Sequence, residues 1–129
     1  MGSSPRKLRV LIVDDERYIL RALRRGLGDM AEVVGCASTK EALAILAEDA
    51  AFDVVLSDWG LDGASGLDLF HDVQTHHPHL RGRCVLMTGQ NVEGEELGCE
   101  VLSKPFDLTA AREVIQRVSA SASPSDETR

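Results

Sequence analysis

Length, composition and charge narrow the kind of protein that this sequence describes. The chain has 129 residues, of which 43% are hydrophobic, so we expect a single globular domain with an ordinary core. Its formal net charge of −7 argues against direct binding to nucleic acid or to an anionic membrane surface. Because the sequence shows neither an apolar run of the roughly 20 residues that a membrane span needs nor a signal peptide, we expect a cytoplasmic protein.

The two ends of the chain are polar and rich in small residues. We expect residues 1–6 to be disordered, residues 7–120 to form the domain, and residues 121–129 to be a disordered tail or linker. Three cysteines, Cys36, Cys84 and Cys99, lie in or beside apolar runs, which favours buried reduced thiols over a disulfide or a metal site.

Apolar runs alternate with amphipathic segments along the chain. The first run, from Leu8 to Val13, is nearly continuous, as expected of a central parallel strand that is buried on both faces. We predict further strands at 32–36, 53–58, 83–87 and 100–103. Strands that alternate with helices predict a doubly wound α/β domain with a five-stranded parallel sheet.

The segments between the predicted strands carry apolar side chains at helical spacing. The first helix begins at Arg17, and Ser38 is the expected N-cap of the second, with Glu41 as its capping-box partner. The third helix spans about 67–76, and the last begins near Asp107. The side chains expected to face the core are Ile19, Leu20, Leu23, Leu27, Ala42, Leu43, Ile45, Leu46, Ala47, Leu67, Phe70, Val73, Leu108, Ala111, Ile115 and Val118.

Polar side chains follow four of the predicted strands. Asp14 and Asp15 end the first strand, Asp58 the third, Thr88 the fourth and Lys104 the fifth. Each residue alone is explained by a turn or a helix cap. In a doubly wound sheet, however, ligands bind outside the carboxyl ends of the strands, so we expect the five side chains to lie in one site.

The chemistry of these side chains points to phosphoryl transfer. Three neighbouring carboxylates repel one another unless a cation neutralises them, and Mg²⁺ prefers such oxygen ligands together with a phosphate oxygen. Lys104 can pair with a carboxylate in the empty site and with a phosphoryl oxygen in the filled one. Asp58 is the better nucleophile, because the adjacent pair Asp14 and Asp15 suits a metal.

The sequence resembles the receiver domain of two-component response regulators from Lys7 to Ala120. The matching residues are Val13-Asp14-Asp15-Glu16, Asp58 with Gly66 eight residues later, Thr88-Gly89 and Lys104-Pro105-Phe106. The resemblance implies a flavodoxin-like sheet with the strand order 2-1-3-4-5. It also implies a phosphoacceptor, not an enzyme with a separate substrate, that depends on Mg²⁺ (or Mn²⁺) and assists its own phosphorylation and dephosphorylation.

The resemblance further implies a role for each site residue. Asp58 would accept a phosphoryl group from a sensor histidine kinase or a histidine phosphotransfer protein, assisted by Thr88 and Lys104. The metal ligands would be Asp14, Asp15, Asp58 and the backbone carbonyl of Gly60. The phosphate would contact Trp59, Thr88, Gly89 and Lys104. Thr88 and Val101 would form the switch, whose downstream effector the sequence does not identify.

The sequence departs from the family pattern beside this switch. Val101 replaces the usual aromatic three residues before the lysine, and the segment from Thr88 to Lys104 is several residues shorter than usual. We therefore expect the helix between the fourth and fifth strands to be short or absent, and signalling to rely on the loop from Thr88 to Gly94. Gly60 and Gln90 flank the phosphoryl position, and because Gly60 gives no shielding, we expect a short-lived acyl phosphate.

Docking of the phosphodonor is expected on the first helix, and rival functions remain open. The arginines that would form this docking face are Arg17, Arg21, Arg24 and Arg25, and a solvated helix face is an equal alternative. A pseudo-receiver that acts only as an interaction module, independently of phosphorylation, is the main alternative function. A haloacid-dehalogenase-like phosphatase would want a second acid at Gly60, and a dinucleotide-binding domain would need a G-x-G-x-x-G after the first strand.

Overall fold

The central sheet has five parallel strands. The structure, a computed structural model, describes residues 7–61, 64–89 and 99–120. The strands of the sheet are β1 (Leu8–Val13), β2 (Ala31–Cys36), β3 (Val54–Asp58), β4 (Cys84–Thr88) and β5 (Glu100–Ser103). They pair in the order β2-β1-β3-β4-β5, with every neighbouring pair parallel, which confirms the predicted fold class and strand order.

Four α-helices lie in the part of the chain that the structure describes. They are α1 (Arg17–Leu27), α2 (Thr39–Glu48), α3 (Gly66–His76) and α4 (Leu108–Ala120). The predicted short or absent helix between β4 and β5, with Gln90 and the loop to Gly94, falls in residues 90–98, outside the described residues. The predicted terminal segments 1–6 and 121–129 also lie outside them, so the domain boundaries stay a prediction.

Both faces of the sheet are covered by helices. Alternate residues of β1 enter opposite cores: Val10 and Ile12 pack with α1 and α4, whereas Leu11 and Val13 pack with α2 and α3. All four of these strand residues are fully buried. The continuous apolar run of β1 is therefore explained by burial on both faces, as the sequence predicted.

Two of the side chains expected in the core are exposed, so those predictions were wrong. Ala47 is exposed because α2 buries a narrow face centred on Ala42 and Leu46, and Ala47 lies about 100° around the helix from Leu46. Leu108 is 41% exposed because it is the first residue of α4, where contact with Gly26 of α1 covers only part of its side chain.

The cysteines are free thiols. Cys36 and Cys84 are buried and Cys99 is half-buried. Burial raises the pKa of the Cys84 thiol to about 12 and that of Cys36 to about 11, so both stay protonated and unreactive at neutral pH. Among the described residues, no helix is both long and apolar enough to cross a membrane.

Candidate functional site

Three carboxylates meet at the carboxyl ends of β1 and β3. The register pairs Val13 with Ser57, so Asp14 and Asp58 follow directly at neighbouring strand ends. One carboxylate oxygen from each of Asp14, Asp15 and Asp58 lies within 4.8 Å of the others. Asp14 is fully buried, Asp58 is half-buried and Asp15 is exposed, so the cluster opens toward solvent on one side.

Lys104 bridges two of these carboxylates. Its Nζ donates to Oδ2 of Asp14 at 3.0 Å and to Oδ1 of Asp58 at 2.9 Å. Burial alone would lower the pKa of Lys104, but the hydrogen bonds to Asp58 and Asp14 outweigh it and hold the pKa above its usual value. Lys104 is therefore a permanent cation in this site, and the predicted pairing with a carboxylate is confirmed.

The charge balance of the cluster fits a hard divalent cation. Burial raises the pKa of Asp14, and the hydrogen bond from the Glu16 N–H at 2.9 Å and the contact with Lys104 only partly oppose it. Three carboxylates against one ammonium leave an excess of negative charge. Closely spaced oxygen donors of this kind suit Mg²⁺ or Mn²⁺, so the residues present fit the implied metal.

Thr88 ends β4 beside the strand that carries Lys104. It is 2% exposed and pairs with Ser103 in the register of β4 and β5. The backbone N–H of Lys104 donates to the Thr88 carbonyl at 2.7 Å, which ties the two strand ends together. Gly89 follows at the surface, and a Cβ added there would lie 3.8 Å from the Lys104 carbonyl, an ordinary contact.

Trp59 and Gly60, which follow Asp58, were expected to contact the phosphate and the metal. The Trp59 N–H donates to the Met87 carbonyl at 2.9 Å, so it would have to leave this acceptor to bind a phosphoryl oxygen. Gly60 is exposed and has nothing within 4 Å of an added Cβ. It starts a short antiparallel hairpin, Gly60–Leu61 with Ala64–Ser65, which was not predicted. Phosphate binding by Trp59 and metal ligation by the Gly60 carbonyl stay predictions.

Gly66 allows α3 to begin directly against the end of β3. An added Cβ would lie 2.6 Å from the Asp58 carbonyl oxygen and 2.8 Å from Cδ1 of Leu86. Gly66 was part of the sequence resemblance, eight residues after Asp58, but the sequence did not show why a glycine is needed there. Its role is to let the helix start close to the backbone that carries Asp58.

Two residues in contact with the site were not given a role by the sequence. Oε1 of Glu16 lies 3.5 Å from Nζ of Lys104, and Oε2 of Glu16 accepts from the Tyr18 hydroxyl at 3.2 Å. The position of Glu16, directly after the acid pair, was the available signal. Tyr18 carried no such signal, because an exposed aromatic at the start of a helix is common.

An apolar groove adjoins the site between α1 and the segment after β5. Its volume is about 460 Å³. Its lining residues are Glu16, Tyr18, Ile19, Ala22, Leu23, Lys104, Pro105, Phe106 and Leu108. Tyr18 is 64% and Leu108 41% exposed, so the groove presents apolar surface to solvent. Glu16 and Lys104 connect this groove to the acidic cluster.

The four arginines of α1 are all exposed and spread over an arc of about 100° around the helix, with Arg24 and Arg25 at its two edges. Arg24 lies over β2, with its Nη2 3.6 Å from a Cβ added to Gly35. Arg25 follows three residues after Ala22, so helical spacing places it on the side of the groove. Arg17 and Arg21 lie between these two sides. Val101, the predicted switch residue, is half-buried in β5 opposite Leu86, and its role stays a prediction.

Fold and site together define a doubly wound α/β domain with an acidic pocket, closed by a lysine, at the carboxyl ends of its strands. The family model for the response regulator receiver domain matches residues 10–116. The chain therefore belongs to the response regulator receiver domain family.

Known relatives agree with this assignment. The chain is 34% identical over 112 residues to the response regulator protein PilR of Pseudomonas aeruginosa, covering 83% of this chain and 25% of that protein. It is 28% identical to the chemotaxis protein CheY of the same organism, covering 86% of this chain and 95% of that one. The chain thus spans about a quarter of the length of PilR, but nearly all of that CheY.

Solved structures share the fold. The chemotaxis response regulator CheY4 of Vibrio cholerae superposes with a TM-score of 0.77 at 29% identity, covering 88% of this chain and 99% of that one. A response regulator receiver domain protein from Clostridium thermocellum gives a TM-score of 0.77 at 27% identity, covering 87% and 94%.

Proposed function

We propose that this receiver domain accepts a phosphoryl group on Asp58 from a phosphohistidine of a sensor histidine kinase or a histidine phosphotransfer protein, with Mg²⁺ or Mn²⁺ bound in the acidic cluster. The observation that carries the proposal is the Lys104 ammonium, which donates to both Asp58 and the buried Asp14. A lysine that bridges two carboxylates beside a third can redirect one of its hydrogen bonds to a negatively charged phosphoryl oxygen when a phosphoryl group binds Asp58.

In the proposed reaction, a carboxylate oxygen of Asp58 attacks phosphorus. The P–N bond to the donor histidine breaks, an acyl P–O bond forms, and the imidazole leaves with a proton from solvent. Lys104 then exchanges Oδ1 of Asp58 for a phosphoryl oxygen, which keeps its charge paired throughout. The hydroxyl of Thr88, at the next strand end, would be a second donor to the phosphoryl group.

Asp14 and Asp15 would hold the metal together with Asp58 and the Gly60 carbonyl. When bound, Mg²⁺ would supply positive charge that offsets the carboxylates and the transferring phosphoryl oxygens. Since the domain contributes the nucleophile and the charged groups, a small phosphodonor should phosphorylate it without a kinase. We therefore propose a self-assisting phosphoacceptor and not an enzyme that acts on a separate substrate.

The groove beside Lys104 suits an apolar helix face of the phosphodonor. Tyr18 and Leu108 leave apolar surface exposed next to the site, and a partner covering them would bring its phosphohistidine close to Asp58. Arg21 and Arg25 would flank such a partner. We place this encounter in the cytoplasm, where kinases obtain ATP.

Intact-mass measurement after incubation with Mg²⁺ and acetyl phosphate tests the proposal. The native protein should gain the mass of one phosphoryl group, and Asp58→Asn should gain none. Equal gain by both proteins would mean that Asp58 is not the acceptor. No gain by a folded native protein would favour the pseudo-receiver.

A further inference from the structure

Lys104 has a third carboxylate neighbour outside the acidic cluster. Oε1 of Glu16 lies 3.5 Å from its Nζ, farther than the oxygens of Asp14 and Asp58 but within ion-pair range. The side chain of Glu16 is 45% exposed, whereas that of Lys104 is 18% exposed. Glu16 therefore approaches the ammonium from the outer side of the site.

Glu16 is held in place at three points. Its backbone N–H donates to Oδ1 of Asp14 at 2.9 Å, its Oε1 contacts Lys104, and its Oε2 accepts from the Tyr18 hydroxyl at 3.2 Å. An exposed glutamate normally samples many rotamers, which makes its ion pairs weak. Here the Tyr18 hydrogen bond reduces that freedom and keeps the carboxylate beside Lys104.

The three carboxylates that contact Lys104 differ in whether a bound metal or phosphoryl group would engage them. The oxygens of Asp14 and Asp58 belong to the cluster that a metal and a phosphoryl group would occupy. The carboxylate of Glu16 does not belong to that cluster. Of the three carboxylates beside Lys104, it is the one that a metal and a phosphoryl group in the cluster would not engage.

We propose that Glu16, oriented by Tyr18, is a positioning residue that competes with the phosphoryl group for Lys104. This inference rests on the proposed function and goes beyond it. Part of the ammonium's electrostatic attraction stays directed at Glu16, so the phosphoryl group is bound less tightly than the other site residues would allow. The charge of residue 16 thereby sets how firmly this domain holds its phosphorylated state.

Binding of beryllofluoride, which stands in for the phosphoryl group, tests this competition. At saturating Mg²⁺, titration followed by the fluorescence of Trp59, the single tryptophan, should show Glu16→Gln binding about two- to five-fold more tightly than native protein, the range expected of a partly exposed ion pair. Tyr18→Phe should shift the affinity in the same direction by less, and Glu16→Asp should stay near native. Equal or weaker binding by Glu16→Gln would overturn the proposal.

The same substitution in a Lys104→Ala background separates competition from simple charge removal. Without Lys104, Glu16→Gln should leave beryllofluoride affinity unchanged, because the group for which Glu16 competes is absent. Tightening that persists without Lys104 would reflect loss of a nearby negative charge and would overturn the proposal.

A metal-free readout isolates the contact itself. In EDTA, the effects of Glu16→Gln and Lys104→Ala on urea unfolding should be non-additive, as expected of side chains that interact. Additive effects would mean that the two side chains do not interact energetically and would overturn the proposal. A native protein that binds no beryllofluoride at any Mg²⁺ concentration would contradict the proposed function and the competition together, whereas native binding with unchanged Glu16→Gln affinity would contradict the competition alone.

Discussion

At the scale of single residues, Asp14 combines full burial with a charge. Burial raises the pKa of its carboxyl despite the hydrogen bonds from Glu16 and Lys104, so the ionised form is disfavoured in the metal-free fold. We predict that Asp14→Asn raises the free energy of unfolding by about 1 kcal/mol in EDTA, since asparagine still accepts the Glu16 N–H. Urea unfolding measures this, with the exposed Asp15→Asn as the control that should change little.

The ion pair between Asp14 and Lys104 opposes this stabilisation, because Asp14→Asn removes its negative charge. Breaking a buried pair by removing one partner can destabilise a protein by about 3–5 kcal/mol. Lys104 keeps Asp58 and Glu16 as partners in the Asp14→Asn variant, so we expect the burial effect to prevail. A loss of several kcal/mol in that variant would show that the ion pair dominates.

Gly60 is exposed and has no side chain that could shield a phosphoryl group on Asp58 from water. A side chain at this position meets no atom within 4 Å of its Cβ, so a large residue can be accommodated without strain. We predict that Gly60→Tyr slows hydrolysis of the acyl phosphate several-fold, because the ring restricts the approach of water. Loss of phosphoryl mass after removal of acetyl phosphate measures the rate, and faster loss from Gly60→Tyr than from native protein would contradict the prediction.

At the scale of elements, the start of α3 depends on the absence of a side chain at Gly66. Alanine is the better helix former by up to about 1 kcal/mol, but its Cβ would lie 2.6 Å from a backbone oxygen of Asp58, which cannot rotate away. We therefore predict that Gly66→Ala lowers the free energy of unfolding by about 2 kcal/mol. It should also weaken phosphorylation, because the displaced backbone carries Asp58, the proposed acceptor.

Gly89→Ala, after β4, is the matched control for Gly66→Ala. The added Cβ would lie 3.8 Å from the Lys104 carbonyl, so we expect a change within about 0.5 kcal/mol. Equal destabilisation by the two substitutions would mean that the close approach at Gly66 is not the cause.

The helices and strands differ in how well the sequence predicted them. β1 was predicted from Leu8 to Val13 and confirmed there, because burial on both faces gives a continuous apolar run. The Ser38 cap was confirmed, since its side chain accepts from the Glu41 N–H, but the Glu41 carboxylate accepts from Ala37 and not from Ser38. The hairpin after Asp58 was missed because strands of two residues show no periodicity.

At the scale of the whole molecule, the site could be predicted because the topology of the sheet fixes where strand ends meet. Asp14, Asp15, Asp58 and Lys104 were placed together by that rule alone, and their contacts confirm it. The contact of Glu16 with Tyr18 could not be predicted, because it depends on the rotamers of two exposed side chains. The groove was also hidden, since it is formed by two segments about 85 residues apart.

Docking of the phosphodonor also belongs to this scale. We predict that Arg21→Glu with Arg25→Glu slows phosphoryl transfer from the partner kinase several-fold, and more so at low salt, because charges at the edge of an interface mainly affect association. Phosphorylation by acetyl phosphate should be unchanged. Arg24→Glu, on the β2 side of α1, is the matched control and should have a smaller effect. Equal losses with both donors would remove the docking claim.

The position of the phosphorylated carboxylate tests the account most directly. Borohydride reduces an acyl phosphate to the alcohol, so reduction of the phosphorylated protein converts the acceptor aspartate to homoserine, which peptide mass spectrometry can locate. We predict homoserine at position 58 in protein treated with Mg²⁺ and acetyl phosphate, and none when Mg²⁺ is removed with EDTA. Homoserine at position 14 or 15, or its absence from phosphorylated protein, would contradict the assignment of Asp58 as the phosphoacceptor.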